Sequence, residues 1–472
     1  MAVDTNLIRD VVVVIPGIMG SALVGAKNTP LWSLEAGTLI QALNTLGGSL
    51  QSLTLPPGVG DGLPPNYAIR ATKLLPSLHV IPGLWSPITG YDGTLAFLRS
   101  ARFQMIEPDR RDPDRIPNLL TFPYDWRLSN RYNARLLKLL AEDALARWRE
   151  QPGMEESKLV LICHSMGGLI ARWFLEQEDG AAITRTLITL GTPHRGALNA
   201  LHTLSNGLEP GIGPLRLNLS AFARSLPSLY QLLPTYDCLE ADDGSRSGLR
   251  GVAVPNLDAA MLDDALDFHA TLDAAPPPTY TLHKVVGIRQ PTLTTASIVR
   301  GRVVPSEEID MRNQGGDGTV PSLSAEPLEG RGVNTHAVAD QHGELQGTRS
   351  ALDLIDGILT RDDMVWQRAA STSFGVTMAE LWRPGDRPQL HVNDAGDVRL
   401  HVTVLDELDK PVGPHVVVAK DGTASLDPLT PGGYRARVSS AVAGGPPSVT
   451  RPFLVWESAI AADAIVASAE ER

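Results

Sequence analysis

The sequence predicts an α/β protein with a buried parallel sheet at its centre and a small β domain after it. Two short apolar runs without polar interruption, 11–15 and 159–163, are typical of parallel strands covered on both faces, and a further strand is predicted at 186–190. Apolar residues at helical spacing over 132–150 and 169–176 predict helices beside these strands. After residue 371 the pattern changes to apolar–polar alternation, which indicates half-buried strands.

Length and charge limit the number of domains and the kinds of partner that we expect. The chain has 472 residues, enough for one large domain with insertions and a second small domain. Its formal net charge is −12, and no Lys/Arg-rich run occurs, so nucleic acid is excluded as an expected partner.

Targeting and metal-binding signals are not found. The first ten residues lack a basic segment followed by an apolar stretch, and the run at 11–15 is too short to span a membrane. Cys163 belongs to a buried strand and Cys238 to a loop-rich segment, so no disulfide framework is indicated. We expect a cytoplasmic protein, at most peripheral at a membrane. No clustered His/Cys spacing or glycine-rich phosphate loop occurs, so we expect neither metal nor cofactor.

The stretch Leu-Val-Leu-Ile-Cys-His-Ser-Met-Gly-Gly, at 159–168, leads from a predicted strand directly into a predicted helix. Ser165 is therefore expected on a sharp strand-to-helix turn, with small residues that let the helix pack close. This arrangement is the nucleophile elbow of α/β-hydrolases, G-x-S-x-G, with Cys163 in place of the first glycine. The alternative is that Ser165 only caps the helix.

The first predicted strand ends in Pro-Gly-Ile-Met-Gly-Ser, at 16–21. A glycine-rich turn leaves backbone N–H groups uncovered, and in α/β-hydrolases one oxyanion donor comes from a loop after an early strand. Ile18 and Met19 are the candidate donors; the alternative is a plain tight turn.

An acid and a base follow the serine in the chain order of α/β-hydrolases, Ser…Asp…His. Asp317 lies in the glycine-rich loop 314–321, where a carboxylate can be aimed freely. His342 lies just before a predicted amphipathic helix whose apolar face is Leu345, Leu352, Ile355 and Leu359. His336 is the rival base and Asp340 a rival acid. His194 follows the serine too closely to be favoured.

Two long insertions, about 21–115 and 197–278, are predicted to be irregular and rich in apolar residues. Such segments are often lids over a binding groove. The candidate lid residues are Trp32, Leu84, Trp85, Leu229 and Tyr230. The alternative is that these side chains simply pack on the core.

Two further segments are interpreted as structural. Pro-Tyr-Asp-Trp-Arg, at 123–127, follows the strand-like run 119–122 and precedes the helix 132–150, whose predicted apolar stripe is Leu136, Leu140, Ala144 and Trp148. Short alternating strands with Asp-Gly and Pro-Gly-Gly turns predict a β-sandwich at about 374–456. The expected domains are therefore 1–370 and 371–457, followed by a tail at 458–472.

Together, these motifs resemble those of the lecithin:cholesterol acyltransferase family, which includes phospholipid:diacylglycerol acyltransferases and a lysosomal group of phospholipases. The similarity covers about 11–359 and leaves the sandwich unmatched. The motifs that carry it are Ile-Pro-Gly-Ile-Met-Gly (15–20), Pro-Tyr-Asp-Trp-Arg (123–127), His-Ser-Met-Gly (164–167), Gly-Asp-Gly-Thr-Val (316–320) and His342. Cys163 departs from the family pattern, and neither the family's lid disulfide nor a secretion signal has a counterpart.

The resemblance implies an α/β-hydrolase fold with two cap insertions and a serine esterase that passes an acyl chain from a lipid to water or an alcohol. It also implies roles for individual residues: Ser165 as nucleophile, Asp317 as acid, His342 as base, and Ile18 and Met166 as backbone oxyanion donors. We expect a lipid or other long-chain acyl ester as substrate, transient membrane contact through the lid, and the sandwich as a surface for a protein partner. The alternative from another class is a catalytically dead fold that docks on membranes.

Overall fold

A parallel sheet of six strands forms the centre of the structure, a computed structural model. The structure describes residues 8–33, 53–76, 87–100, 103–109, 111–112, 114–208, 211–212, 215–216, 219–326, 332–360, 374–394, 396, 398–442 and 445–456. The strands of the sheet are β1 (Val11–Ile15), β2 (Leu119–Thr121), β3 (Leu159–His164), β4 (Thr184–Leu190), β5 (Thr281–Gly287) and β6 (Val333–Val338). Their order in the sheet is β6-β5-β4-β3-β1-β2, and every pairing is parallel.

The predicted α/β class is therefore confirmed. Strands β1 and β3 are buried along their whole length, as their unbroken apolar runs predict. The carboxyl ends of parallel strands meet at one edge of the sheet, and in open α/β sheets this edge is where ligands bind. The loops after β1, β3 and β4 all leave the sheet at this edge.

Helices and small sheets surround the central sheet. The helices are α1 (Asp92–Leu98), α2 (Asn130–Arg149), α3 (Gly167–Gln177), α4 (Leu198–Asn206), α5 (Ser220–Arg224), α6 (Pro227–Tyr230), α7 (Ala259–Asp273), α8 (Ser322–Ala325) and α9 (Arg349–Thr360). Short 3-10 turns lie at Ala26–Asn28, Gly180–Ile183 and His342–Glu344. The remaining strands outside the C-terminal region are Ser21–Val24, Pro30–Trp32, Arg70–Leu74, Gly211–Ile212, Leu215–Arg216, Leu239–Glu240, Arg246–Ser247, Thr295–Val299, Arg302–Ser306, Glu308–Ile309 and Arg312–Asn313. No helix among the described residues is long and apolar enough to cross a membrane.

The expectation of an irregular segment at 197–278 is wrong. Four helices, α4 to α7, lie within it, and α7 alone has 15 residues. Asp258 caps the start of helix α7 by accepting a hydrogen bond from the Met261 N–H, and the helix buries Leu262, Leu266 and Phe268. Many acidic residues on its outer face obscure this amphipathic pattern in the sequence.

The predicted apolar stripe of α2 is confirmed at Trp148, which is buried, and is wrong at Leu136, which is 37% exposed. Leu140 and Ala144 are partly buried against the core, and the other buried apolar side chains of the helix are Ala134, Leu137, Ala141 and Leu145. Steps of four residues drift around a helix of 3.6 residues per turn, so a buried stripe mixes steps of three and four.

The Pro-Tyr-Asp-Trp-Arg segment is part of the core. The Trp126 side chain is fully buried, contacts the rings of Trp32 and Phe222 edge-on, and donates from its indole N–H to the Ser21 carbonyl at 3.2 Å. Arg127 is also buried and makes two hydrogen bonds to the Asp125 carboxylate, at 2.9 and 2.7 Å. These contacts support the structural interpretation of this segment.

Replacing Trp126 by alanine should therefore destabilise the protein. Removing a fully buried tryptophan leaves a large cavity, so we expect a loss of ~3–5 kcal/mol in the free energy of unfolding. Urea denaturation followed by circular dichroism measures this loss. Leu139→Ala, at a position that is 66% exposed, is the control and should cost less than ~0.5 kcal/mol. A Trp126→Ala protein with parental stability but no activity would instead assign this segment to the active site.

The C-terminal region forms two packed sheets with an apolar core of their own. The strands are β7 (Gly375–Met378), β8 (Leu381–Trp382), β9 (Gln389–Asn393), β10 (Leu400–Leu405), β11 (Val416–Val417), β12 (Thr423–Ser425), β13 (Gly432–Ser440) and β14 (Val449–Val455). One sheet has the order β7-β9-β12 and the other β8-β14-β13-β10-β11. This is the predicted β-sandwich, while the proposed tail at 458–472 lies outside the described residues.

Candidate active site

Ser165 lies on the sharp turn between β3 and α3. Its φ of 53° is in the left-handed region, which a residue with a side chain adopts only where the surroundings hold it there. The first residues of α3 have no room for side chains. A Cβ on Gly167 would lie 2.5 Å from the Pro16 carbonyl oxygen, and one on Gly168 would lie 2.1 Å from Thr192 Oγ1. The small residues after the serine are thus required by the close packing of α3, as the sequence predicts.

The structure brings Ser165, His342 and Asp317 into one hydrogen-bonded chain. Ser165 Oγ lies 2.9 Å from His342 Nε2, and His342 Nδ1 lies 2.8 Å from Asp317 Oδ2. The other carboxylate oxygen, Asp317 Oδ1, accepts from the backbone N–H groups of Thr319 and Val320 at 3.0 and 2.7 Å. The Ser165, His342 and Asp317 side chains are each at most 1% exposed.

This arrangement can activate a serine hydroxyl. With His342 Nδ1–H donating to Asp317, the Nε2 lone pair points at the Ser165 hydroxyl and can take its proton. Because its second oxygen is held by two backbone donors, the carboxylate has a fixed orientation.

Two glycines make room for the Asp317–His342 pair, and the sequence analysis missed both. A Cβ on Gly191 would lie 2.8 Å from Asp317 Oδ2 and 3.1 Å from His342 Nδ1, and one on Gly287 would lie 2.2 Å from Asp317 Cβ. Gly191 directly follows strand β4, and Gly287 is the last residue of strand β5. A glycine at the carboxyl end of a buried strand is the signal that could have pointed to them.

The rival candidates for the acid and the base lie outside the hydrogen-bonded group of Ser165, His342 and Asp317. The His336 ring stacks on His283, and its Nε2 lies 3.1 Å from His283 Nδ1. The Asp340 carboxyl is hydrogen-bonded to the Thr348 side chain, and burial raises its pKa to about 6. His194 is fully buried, which lowers its pKa well below the ordinary histidine value. None of the three has a described hydrogen bond to Ser165 or His342.

The two proposed oxyanion donors lie on either side of the serine. Met166 immediately precedes α3, and the loop of Ile18 passes over the nucleophile so closely that a Cβ on Gly17 would lie 2.9 Å from Ser165 Cβ. Among the residues that the structure describes, neither the Ile18 nor the Met166 N–H has a hydrogen-bond acceptor. Met19, the other candidate from the sequence, has a φ of 63° and uses its carbonyl to accept from the Trp32 indole.

A tyrosine and a histidine connect the three loops of the site. The Gly17 N–H donates to Tyr91 Oη at 2.8 Å, Tyr91 Oη lies 2.9 Å from His164 Nδ1, and His164 Nε2 lies 2.9 Å from the His342 carbonyl. One assignment satisfies all of these bonds: Tyr91 donates to Nδ1, and Nε2–H donates to the carbonyl. Neither residue has a role predicted from the sequence. Tyr91 has no local signal, since its partners are more than 70 residues away.

The candidate lid residues divide into two groups. Trp32, Leu229 and Tyr230 are at most 1% exposed and belong to the main apolar core. Leu84 and Trp85 lie outside the described residues. Burial is expected both of core residues and of the inner face of a closed lid, so the lid role stays a prediction.

Glu344 lies in the same short turn as His342 and has an unusual environment. Burial raises its pKa to about 8, nearby Asp340 and Asp409 act in the same direction, and Arg435 and Arg437 oppose them. In the unfolded chain a glutamate has a pKa of about 4.3. The folded protein therefore binds an extra proton between these values, and its stability falls as pH rises through the window from about 4.3 to 8.

Replacing Glu344 by glutamine should remove this pH dependence. The melting temperature of Glu344→Gln minus that of the parent should be smallest at pH 5 and should increase up to pH 8.5. Calorimetric melts of both proteins at pH 5, 7 and 8.5 measure this difference. A difference that stays constant across the three values would contradict the assigned burial of the carboxyl.

Comparison with known proteins agrees with the motif analysis over part of the chain. Residues 114–253 match the family model of lecithin:cholesterol acyltransferase. This segment includes Pro-Tyr-Asp-Trp-Arg and Ser165, and it ends before Asp317 and His342. The resemblance to this family is confirmed over these residues. No curated protein matches the chain.

Several solved structures are similar at low identity. A chain of the Tle4–Tli4 complex is 16% identical, with 74% of this chain and 98% of that chain covered and a TM-score of 0.48. Mature lipase BlEst2 of Bacillus licheniformis is 12% identical, with 56% and 86% covered and a TM-score of 0.33. Phospholipase PlaB of Legionella pneumophila is 14% identical, with 80% and 88% covered and a TM-score of 0.21.

The chain therefore combines a parallel six-stranded sheet with a segment, 114–253, that matches the lecithin:cholesterol acyltransferase model. An acyl-ester-acting enzyme is the function class that this combination supports.

Proposed function

We propose that the protein is a serine-dependent lipid acyl hydrolase, of the phospholipase A or esterase type, that works through an acyl-enzyme. The observation that carries the proposal is the hydrogen-bonded chain Ser165–His342–Asp317, with bonds of 2.9 and 2.8 Å. In this proposal Ser165 is the nucleophile, His342 the base and Asp317 the acid.

The first half of the reaction forms the acyl-enzyme. His342 Nε2 takes the proton of Ser165 as Oγ bonds to the ester carbonyl carbon, and Asp317 stabilises the imidazolium. The backbone N–H groups of Ile18 and Met166 donate to the oxygen that becomes negative; a lost donor of this kind costs ~100- to 1000-fold in rate. The ester C–O bond then breaks, and the leaving alcohol takes the proton from His342.

The second half regenerates the serine. Water gives a proton to His342 as its oxygen attacks the acyl carbon. The bond to Ser165 Oγ then breaks, Oγ takes the proton back from His342, and a fatty acid leaves. If an alcohol takes the place of water, the same steps transfer the acyl chain to it. The match to an acyltransferase family is the observation that favours this second outcome.

The burial of the nucleophile supports a large apolar substrate. Ser165 is fully buried, so a substrate must first displace part of its cover, as expected of an enzyme with a lid. Each CH₂ group of a buried acyl chain contributes ~0.8 kcal/mol, so no charged contact is needed to hold it.

We also propose where the enzyme acts and what it contacts. The enzyme acts in the cytoplasm, its lid touches a membrane or micelle transiently, and the C-terminal sandwich is available to a protein partner. The net charge of −12 means that contact with lipid must be apolar rather than an attraction to anionic headgroups.

The test compares p-nitrophenyl butyrate with phosphatidylcholine liposomes, and mass spectrometry resolves the products with and without an added long-chain alcohol. We expect low activity on the short ester, higher activity on liposomes, and free fatty acid as the main product. A preference for the short ester without lipid turnover would identify a general carboxylesterase. More acyl-alcohol than fatty acid would identify a transferase, and no turnover of any ester would favour the dead fold that docks on membranes.

A further inference from the structure

The C-terminal sandwich contacts the loop that contains His342. Gln341, the residue before the histidine, donates from Nε2 to the Val376 carbonyl at 3.4 Å and to Gln290 Oε1 at 2.6 Å. Its Oε1 accepts a hydrogen bond from the Arg451 guanidinium. Val376 and Arg451 belong to strands β7 and β14 of the sandwich, so two sandwich strands meet at this one amide.

Gln290 extends the contact to the loop that contains Asp317. Its Oε1 accepts from the Val376 N–H at 3.0 Å, and its Nε2 donates to the Ala339 carbonyl. Its backbone N–H and carbonyl both pair with Gly316, the residue before Asp317, at 3.1 Å each. Gln290 thus contacts the sandwich, the segment before His342 and the loop of Asp317.

These contacts are buried and closely packed. Gln290 and Gln341 are at most 2% exposed, so an amide that lost its partners would be left buried without hydrogen bonds. A Cβ on Gly318, which has a φ of 91°, would lie 2.6 Å from Gln341 Oε1 and 3.0 Å from an Arg451 guanidinium nitrogen. The arginine therefore touches the residue after Asp317 as well as the one before His342.

Apolar contacts and one ion pair fix the sandwich in this position. Leu454 and Trp456, at the end of β14, are buried in the main apolar core with residues of the central sheet. Arg451 itself pairs with Glu380 of the sandwich at 3.8 Å. The Arg451 guanidinium is thus held by the sandwich and contacts the loops that contain Asp317 and His342.

We propose that the sandwich holds the acid and base loops in register, with Arg451, Gln341 and Gln290 as positioning residues for Asp317 and His342. The proposal rests on the function proposed above. Each loop connects separately to the central sheet, and the 2.9 and 2.8 Å bonds of the triad depend on their relative position. A displacement of about 1 Å at such a site can cost ~100-fold in rate without removing a reacting group.

The test uses Arg451→Ala and Arg451→Lys in the full chain, with Arg387→Ala as the matched control. Arg387 is a sandwich arginine whose side chain is 63% exposed and pairs with Asp427 of the same domain at 3.6 Å. The measurements are kcat, KM, the rate constant of Ser165 labelling by a fluorophosphonate, and the melting temperature.

We expect Arg451→Ala to lower kcat and the labelling rate ~10- to 100-fold, with KM within about 2-fold of the parent. Arg451→Lys should recover part of the loss because it still donates to Gln341, and Arg387→Ala should match the parent. If Arg451→Ala does not fold, Gln341→Asn provides the same test, since it keeps the amide but shortens its reach. A role in folding alone would change the melting temperature and leave kcat per folded molecule unchanged.

The failure of this proposal is distinguishable from the failure of the proposed function. Parental kcat in folded Arg451→Ala and Gln341→Asn, with a parent that is labelled at Ser165, would overturn the positioning role only. A parent that is not labelled at Ser165 would overturn both.

Discussion

Replacing His342 by alanine should lower kcat by at least ~10⁴-fold, with little change in stability. The imidazole is the only described base within hydrogen-bond distance of Ser165 Oγ, at 2.9 Å. Without it, the serine proton has no acceptor when the carbonyl is attacked, and the leaving alcohol has no donor. Steady-state kinetics on liposomes and a thermal melt of the same preparation measure the two effects.

The control for this prediction is His336→Ala. That imidazole pairs with His283 between β5 and β6, away from the chemistry, so its loss should change kcat by less than about 3-fold. An inactive His336→Ala protein together with an active His342→Ala protein would show that the wrong histidine was chosen.

The second large effect is expected from Asp317→Asn, which should lower kcat by ~10⁴-fold. The backbone N–H groups of Thr319 and Val320 would hold the amide oxygen where Asp317 Oδ1 now lies, so the amide NH₂ group would face His342. A donor at this position forces His342 Nδ1 to accept, which places the ring proton on Nε2. The base then has no lone pair for the serine proton.

Asp340→Asn is the matched control for the acid. Its carboxyl is buried and hydrogen-bonded to Thr348, with no described contact to the His342 ring. We expect kcat within about 3-fold of the parent. Comparable losses for both variants would mean that the two carboxyls act together, against the single acid proposed here.

The central sheet could be predicted from the sequence because its strands are buried on both faces. The run at 11–15 coincides with β1, and the runs at 159–163 and 186–190 differ from β3 and β4 by no more than two residues at either end. The strand-to-helix turn at Ser165 could be predicted for the same reason, since the apolar run ends directly before the polar His-Ser pair. The order Ser…Asp…His along the sequence then predicted Asp317 and His342 as the partners of Ser165.

Features that depend on long-range contacts could not be predicted. The Tyr91 and His164 side chains meet across a sequence separation of 73 residues, and Gln341 and Arg451 across 110. Nothing in a local pattern indicates which polar side chains meet at such a distance. The two errors in helices had a different cause: α7 carries its apolar residues among many acidic ones, and the stripe of α2 was traced with steps of four residues only.

The central claim is that Ser165 is an activated nucleophile, and covalent labelling tests it most directly. Native protein and Ser165→Ala are each incubated with a fluorophosphonate, and intact-mass spectrometry with peptide mapping locates the adduct. We predict one adduct per native chain at Ser165, none on Ser165→Ala, and none on the parent after heat denaturation, because activation depends on folded His342 and Asp317. Labelling that persists on Ser165→Ala, or native parent protein that remains unlabelled, would contradict the account.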